Sequence, residues 1–249
     1  GGDPPFQRGG MGDHPTGMTM AGAISAALFA RERTGHGQLV STSLFRQGVY
    51  TIGFDLNLAL GWGVHPAIGE RETMANPCIN NYVSGDGHRF WVVGLEGDRH
   101  WPPLARVVGH PEWLTDERFD SLRNRARNAV ELVRLLDEAF ATKTMAEWEA
   151  IFANEPDMFW APVQSPDEVL NDPQLRDAGG LVEVPDEYGT TTMIASPADF
   201  DGTPWTPRWI APKLGEHTAA VLSELGRDAA AIDALVASGA VALESDEAL

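Results

Sequence analysis

Basic charge is scarce in this chain. Of 249 residues, 18 are Lys or Arg against 36 Asp or Glu, a formal net charge of −18. Such a surface repels phosphate backbones and anionic headgroups, which argues against nucleic acid and against an anionic membrane as partners. Cysteine is scarcer still: Cys78 stands alone, so no internal disulfide can form. A reducing cytoplasm is the simplest compartment for such a chain. No CxxC pair or His/Cys cluster has structural-zinc spacing, so no metal site is expected. No apolar run approaches the length of a membrane span. The opening "GGDPPFQRGG" has neither the charged start nor the apolar stretch of a signal peptide.

What remains is ordinary for a globular protein: 43% hydrophobic and 22% charged residues. The length suffices for one large domain or two modest ones, each with a buried core. Glycine and proline make residues 1–12 a loop. Pro15 and Thr16 open a helix that ends at Gly35 and Gly37, with Arg31 and Arg33 in its last turn. Its small residues (Gly17, Ala21, Gly22, Ser25) predict close packing on a sheet or helix. The alternating "QLVSTSL" predicts a strand over 38–44, and 45–60 a helix. Residues 61–77 break all periodicity and read as a linker.

"NNYVSGDGHRFWVVGL" then predicts a hairpin around a Gly-Asp-Gly turn. A helical region follows near 98–108. Val130, Val133, Leu136 and Phe140 give helical spacing over 124–143, and Thr144 can cap the next helix. A strand near 161, a short helix and a strand pair ("LVEVP", "TTTMIASP") come next. "PWTPRWIAP" reads as an extended crossing, two helices close the pattern, and "ESDEAL" should fray. Trp91, Trp101, Trp113 and Trp148 are expected to fill a core, and Cys78 to be buried there.

Asp13 has two readings from its neighbours alone. Flanking glycine lets a ligand approach, and helix N–H groups can hold developing negative charge, so the carboxylate can serve as a nucleophile toward a carbonyl. Equally, Asp is a common helix N-cap. His14 is either a substrate hydrogen-bonding group or an ordinary loop histidine.

"GDHPTG" followed by "AGAISAALFARERTGHGQLVSTSL" resembles the signature of the class III CoA-transferases, the CaiB/BaiF family. The pattern is carried by Gly12, Asp13, Gly17, Arg31, Arg33, Thr34, Gly35, Gly37 and Gln38. It continues in "DGHRFWVVGL", "HPEWLTDERF", "APV" and "APKLGEHTAAVLSELG", and so covers most of the chain. The resemblance implies an α/β protein: part of a Rossmann-like large domain with a smaller α+β domain, as in interlocked-dimer CoA-transferases. Residues 1–60 would be a large-domain segment, 61–77 a linker, 78–204 the small domain, and 205–249 a return to the large domain.

The resemblance further implies that Asp13 attacks an acyl-CoA thioester, giving an aspartyl anhydride and then an aspartyl-CoA thioester. Coenzyme A would enter as a substrate, with no permanently bound cofactor and a carboxylic acid as second substrate. Gly12 and His14 would border the substrate. Glu96 lies near the acid/base glutamate of racemase members, so proton exchange beside the thioester is an alternative; a surface-loop glutamate is the plain reading. Asn76, Asn80 and Tyr82 stand where formyl-transferring members carry a glycine-rich loop, and would contact an acyl group or simply join linker to strand. Nothing resembles the family's opening strand–helix units. A missing N-terminal half or second chain, in a homodimer or interlocked assembly, is therefore expected to complete the pocket. A non-catalytic subunit is the remaining alternative.

Overall fold

In the computed structural model of the protein, which describes residues 6–66 and 69–244, the alternating stretch around Asp86 forms a hairpin. Strands β1 (Ile79–Val83) and β2 (Arg89–Val93) pair antiparallel, with Tyr82 opposite Phe90. Successive strand residues face opposite sides, so Asn80, Tyr82, Phe90 and Val92 are buried together. The turn is closed by Ser84, whose N–H donates to the His88 carbonyl (2.9 Å) and whose hydroxyl donates to the Asp86 carboxylate (2.6 Å). A short strand, β3 (Trp160–Pro162), extends the order to β1-β2-β3.

Helices α4 (Gly97–Val107), α5 (Leu122–Arg127), α6 (Ala129–Phe140) and α7 (Met145–Phe152) follow the hairpin. The helix expected over 124–143 is thus two. Asn128 breaks it, donating its side-chain amide to the Asn124 and Arg118 carbonyls (2.9 and 3.1 Å) and so competing with helical bonding. Leu132, Val133, Leu136 and Phe140 present one apolar stripe of α6 to the core. Phe140 is the hub: its ring lies 4.8 Å from Tyr82, 5.0 Å from Phe90 and 5.1 Å from Trp148. Thr144 caps α7 in a full capping box with Glu147, as its sequence position suggested. Of the four tryptophans expected in the core, Trp101, Trp113 and Trp148 are buried, while Trp91 is 43% exposed.

The turn is locked to α7 as well. Gly85 donates its N–H to the Lys143 carbonyl (2.7 Å), and a Cβ there would lie 2.5 Å from the Ala141 oxygen. The Met145 N–H donates to Asp86 (3.1 Å). The Ser84 hydroxyl, then the Met145 N–H and the His88 side chain, hold the Asp86 carboxyl down at about 2 against a smaller opposing desolvation.

Residues 6–66 contain three helices: α1 (Asp13–Thr34), α2 (Leu44–Thr51) and α3 (Gly53–Trp62). None of their residues is buried. The strand expected over 38–44 is absent. A strand needs a paired ladder, and the described residues before Ile79 supply none; Leu39 is 94% exposed and Ser43 caps α2 instead. The close packing expected of Gly17 and Gly22 is absent too: a Cβ at either would meet nothing within 4 Å.

By internal contacts the chain divides into two units between Ala161 and Pro162. The second holds α8 (Pro166–Asn171), α9 (Pro173–Asp177), the antiparallel pair β4 (Leu181–Asp186) and β5 (Gly189–Ile194), then α10 (Thr218–Glu224) and α11 (Ala229–Ala237). The one short helix expected here is split by Pro173, which opens α9 with Asp172 as its cap. Among its described residues only Val184 and Ile232 are buried. The end of "ESDEAL" lies outside the described residues, as does the start of the expected 1–12 loop. The class is mixed helix and sheet, as expected.

Two outcomes follow. Trp148→Ala removes a fully buried ring whose Nε1 donates to the Phe140 carbonyl (2.8 Å), and should cost about 3–5 kcal/mol in denaturant unfolding. Because the folded Asp86 carboxyl is depressed, its contribution to stability is present above its unfolded value and lost as pH falls toward about 2. Asp86→Asn should therefore flatten the acid limb of the stability curve below about pH 4, read by thermal melts across pH.

Candidate active site

The chain ahead of α1 turns sharply before it becomes helical. Gly10 adopts the left-handed region (φ 81°), which glycine tolerates without strain. The His14 N–H donates to the Gly10 carbonyl (2.9 Å), and the Thr16 N–H and hydroxyl both donate to the Gly12 carbonyl (3.3 and 2.7 Å). These bonds place the helix start two residues before Pro15. Gly12 is therefore the N-cap and Asp13 the first helical residue.

That offset removes the capping reading of Asp13. A capping aspartate accepts a backbone N–H two or three residues on. No side chain caps α1, and among the described residues the Asp13 carboxylate has no hydrogen bond and no ion pair. It is exposed. The N–H groups of Gly12 and Asp13 find no backbone acceptor among the described residues. Free carboxylate and free donors thus lie at one helix end, where the dipole favours negative charge.

His14 sits against Gly10. A Cβ on Gly10 would lie 2.7 Å from His14 Cε1, 2.9 Å from Nε2 and 3.1 Å from Nδ1. The imidazole itself has no hydrogen-bond or ion-pair partner among the described residues. From its sequence Gly10 was legible only as a loop glycine. Its signal was a glycine four residues ahead of a histidine at a helix start. Leu44 of α2 packs near Gly12, and the Thr19 hydroxyl donates to Gln47 (2.6 Å), tying α1 to α2.

The other expected residues gather elsewhere in the first unit. Asn76 uses both ends of its amide internally: Nδ2 donates to the Gly94 carbonyl (3.0 Å) and Oδ1 accepts from the Cys78 N–H (3.1 Å). Gly97 lies beside it: a Cβ there would lie 2.8 Å from Leu122 Cδ1 and 3.4 Å from the Asn76 amide atoms. Glu96 caps the start of α4 by position, and its carboxylate pairs with Arg99 (3.2 Å) while staying exposed. The Glu96 N–H donates to His100 Nδ1 (3.1 Å), so His100 Nε2 carries the proton, buried and without a partner among the described residues.

Asn80 and Tyr82 lie in the core instead of on a surface. Tyr82 is fully buried and donates its hydroxyl to the Pro77 carbonyl (2.8 Å); Asn80 donates to the Arg71 carbonyl (3.0 Å) and accepts from the Asn81 N–H (2.9 Å). The alternation of β1 points both inward. Their polar atoms secure the linker before β1. Burial also pushes the Cys78 thiol up to about 12, leaving it inert as a nucleophile at neutral pH.

No hydrogen bond or ion pair joins Asp13 and His14 to Asn76 and Glu96 among the described residues. No group of three His, Cys, Asp or Glu among the described residues could hold a metal ion. No described helix is long and apolar enough to cross a membrane. A cleft of about 840 Å³ in the second unit, with Phe200, Trp205 and Trp209 on its walls, includes none of the expected residues.

The CoA-transferase family III model matches residues 1–218, a span that includes Asp13 and Glu96. The chain belongs to this family. An acyl-CoA transferase from Fusarium pseudograminearum is 32% identical over 92% of the chain and 50% of its own length. The (R)-2-hydroxy-4-methylpentanoate CoA-transferase of Clostridioides difficile is 28% identical over 88% of the chain and 54% of its own length. Formyl-CoA:oxalate CoA-transferase from Shigella sonnei is 29% identical over 90% of the chain and 59% of its own length. The chain thus spans about half the length of the curated relatives it matches. Among solved structures, a CaiB/BaiF family protein from Brucella suis superposes with a TM-score of 0.73 at 26% identity, covering 89% of this chain and 57% of that one.

The inward placement of Tyr82 has a measurable consequence. Tyr82→Phe should lower stability by about 1–3 kcal/mol in denaturant unfolding, because the Pro77 carbonyl loses its buried donor.

Proposed function

We propose that this family III chain takes part in moving coenzyme A from an acyl-CoA to a carboxylic acid, with Asp13 as the nucleophile. The observation that supports this most is the unpaired, exposed Asp13 carboxylate one residue inside α1, within the span matched by the family. A carboxylate tied up as a cap or in a salt link would have to be released first; this one is already free.

In the proposed sequence an Asp13 oxygen attacks the thioester carbonyl. The C–S bond breaks, coenzyme A leaves as thiolate, and a mixed anhydride remains on Asp13. The thiolate then attacks the Asp13 carbonyl and expels the donor acid as carboxylate, leaving an aspartyl-CoA thioester. The acceptor carboxylate attacks that thioester, expels the thiolate and forms a second anhydride. The thiolate attacks its acyl carbonyl, and Asp13 leaves as free carboxylate. Each bond made retains the activation of the bond broken, so four easy displacements replace one hard exchange. The unsatisfied Gly12 and Asp13 N–H groups are placed for the oxyanions that form beside them. Water must be kept out, since both intermediates hydrolyse.

An open helix end does not exclude water by itself. Met18, Phe29, Phe45, Tyr50 and Phe54 on α1–α3 are all more than half exposed. In this proposal further polypeptide of the assembly covers that face and completes the site, from the same chain or a second one, as a homodimer or an interlocked pair. The assignment of 1–60 and 205–249 to a large domain belongs to the same proposal. Gly12 and His14 are kept as substrate neighbours. Glu96, paired with Arg99, and Asn76, whose amide bonds the Gly94 carbonyl and the Cys78 N–H, have supporting places around α4 in this proposal.

The test is intact-mass and peptide analysis of the full protein after mixing with acyl-CoA and hydroxylamine. The reading expects a hydroxamate on Asp13, none in Asp13→Ala, and transfer reduced at least about 1,000-fold in that variant. An unlabelled Asp13, with solvent deuterium entering the carbon next to the thioester in the absence of acceptor acid, would replace transfer by racemisation.

A further inference from the structure

Helix α4 is not bonded evenly along its length. Pro102 and Pro103 lie inside it, and proline has no N–H to donate. The carbonyls of Asp98 and Arg99, four residues earlier, therefore have no helical donor, and the ladder is interrupted between the first turn and the rest. Beyond that gap burial fixes the helix: His100, Trp101, Leu104 and Ala105 are all buried. The first turn closes on the Glu96 carbonyl, which accepts from the Arg99 and His100 N–H groups (3.0 and 2.9 Å). Otherwise it leans on side chains. The Asp98 carboxylate pairs with Arg125 of α5, a guanidinium 1% exposed, and accepts the Leu122 N–H (2.9 Å). Arg125 holds the Asp98 carboxyl below the usual carboxylate range. The Glu96 N–H donates to His100 Nδ1 (3.1 Å), and Arg99 reaches Asp157 (3.2 Å) at the surface.

Two of the side chains that hold this turn are incompletely satisfied. His100 Nε2 and Arg125 Nε are buried without a hydrogen-bond partner among the described residues, as is the neighbouring Trp101 Nε1. A buried donor left unpaired costs free energy, so the margin that keeps the turn closed is smaller than its bonds alone suggest. On the other side the chain is anchored at Gly94, whose N–H donates to the Cys78 carbonyl (2.6 Å) and whose carbonyl accepts from Asn76 (3.0 Å). Between the two anchors Leu95 and Glu96 are exposed. We infer that residues Leu95–Arg99 form a hinged flap, with the gap at Pro102 and Pro103 as the hinge and the Asp98–Arg125 pair as the latch, that opens on its own while the rest of α4 stays folded. The flap is independent of the chemistry assigned to Asp13. Its opening moves Glu96 relative to the hairpin and so changes what that carboxylate can reach.

The test is amide hydrogen exchange in the full protein, resolved to single residues. The Glu96, Arg99 and His100 N–H groups report the flap. Val108, bonded to the Leu104 carbonyl (3.0 Å), and His110, bonded to the Ala105 carbonyl (2.9 Å), report the rest of the helix. In the wild type the flap amides should exchange at least about tenfold faster than the other two. Asp98→Asn keeps the shape of the side chain and removes its charge. Exchange at the flap should then rise by about another tenfold, while Val108 and His110 change by less than about twofold. Pro102→Ala combined with Pro103→Ala restores two donors and should slow the flap toward the rate of Val108. Equal rates in the wild type overturn the flap, as does acceleration of both sets together in Asp98→Asn. Flap rates unchanged by Asp98→Asn overturn the latch, and rates unchanged by the proline replacements overturn the hinge. Should Asp98→Asn fail to fold, the wild type and the proline variant decide.

Discussion

A helix that starts on glycine leaves its first acidic residue without a backbone partner. In this chain the start is set by three bonds, one from His14 to Gly10 and two from Thr16 to Gly12, which draw the first turn of α1 two residues ahead of Pro15. Had the helix begun one residue later, Asp13 would have been the cap, with its carboxylate spent on the N–H groups of the first turn. The chemistry proposed for the protein depends on that one-residue offset. It keeps a negative charge and unsatisfied N–H donors side by side at the positive end of a long helix dipole.

The first unit supports this end unevenly. Between Ile79 and Phe152 the chain is anchored by an aromatic cluster in which Phe140 touches Tyr82, Phe90 and Trp148, and the hairpin turn is bonded to the start of α7 through Gly85 and Asp86. Glycines 94 and 97 allow the close approach of Cys78, His100, Asn76 and Leu122 around α4. In helices α1–α3 no residue is buried and many large apolar side chains are exposed; the Thr19–Gln47 bond and Leu44 near Gly12 tie α1 to α2. The contrast is energetic. Burial of large apolar side chains is the main favourable term in folding, and α1–α3 have yet to realise theirs.

Much of this was legible beforehand, and the misses have common causes. The hairpin, the Thr144 cap and the strand pair β4–β5 follow from local rules: alternation, a turn glycine, a capping hydroxyl three residues before a glutamate. The motif around Asp13 was equally readable, and the family match across residues 1–218 agrees with it. The strand expected over 38–44 was misread because alternation states a preference, whereas a strand exists only with a neighbour to bond. The helix over 124–143 was read as continuous because periodicity does not register one asparagine whose amide competes for carbonyls. Asn80 and Tyr82 looked like polar groups available to a ligand. Residue type alone does not say which face of a strand is buried.

The sequence by itself determined the family, the mixed class of helix and sheet, and the identity of the one carboxylate on which the proposed chemistry turns. These depend on residue order within short windows, where sterics and hydrogen-bonding capacity act locally. Tertiary structure alone decided that Asp13 is uncapped, that Tyr82 and Asn80 close a core, and that Gly10 lies under the His14 ring. Each of those is a distance between atoms, set by how turns and helices meet, and a linear pattern does not contain it.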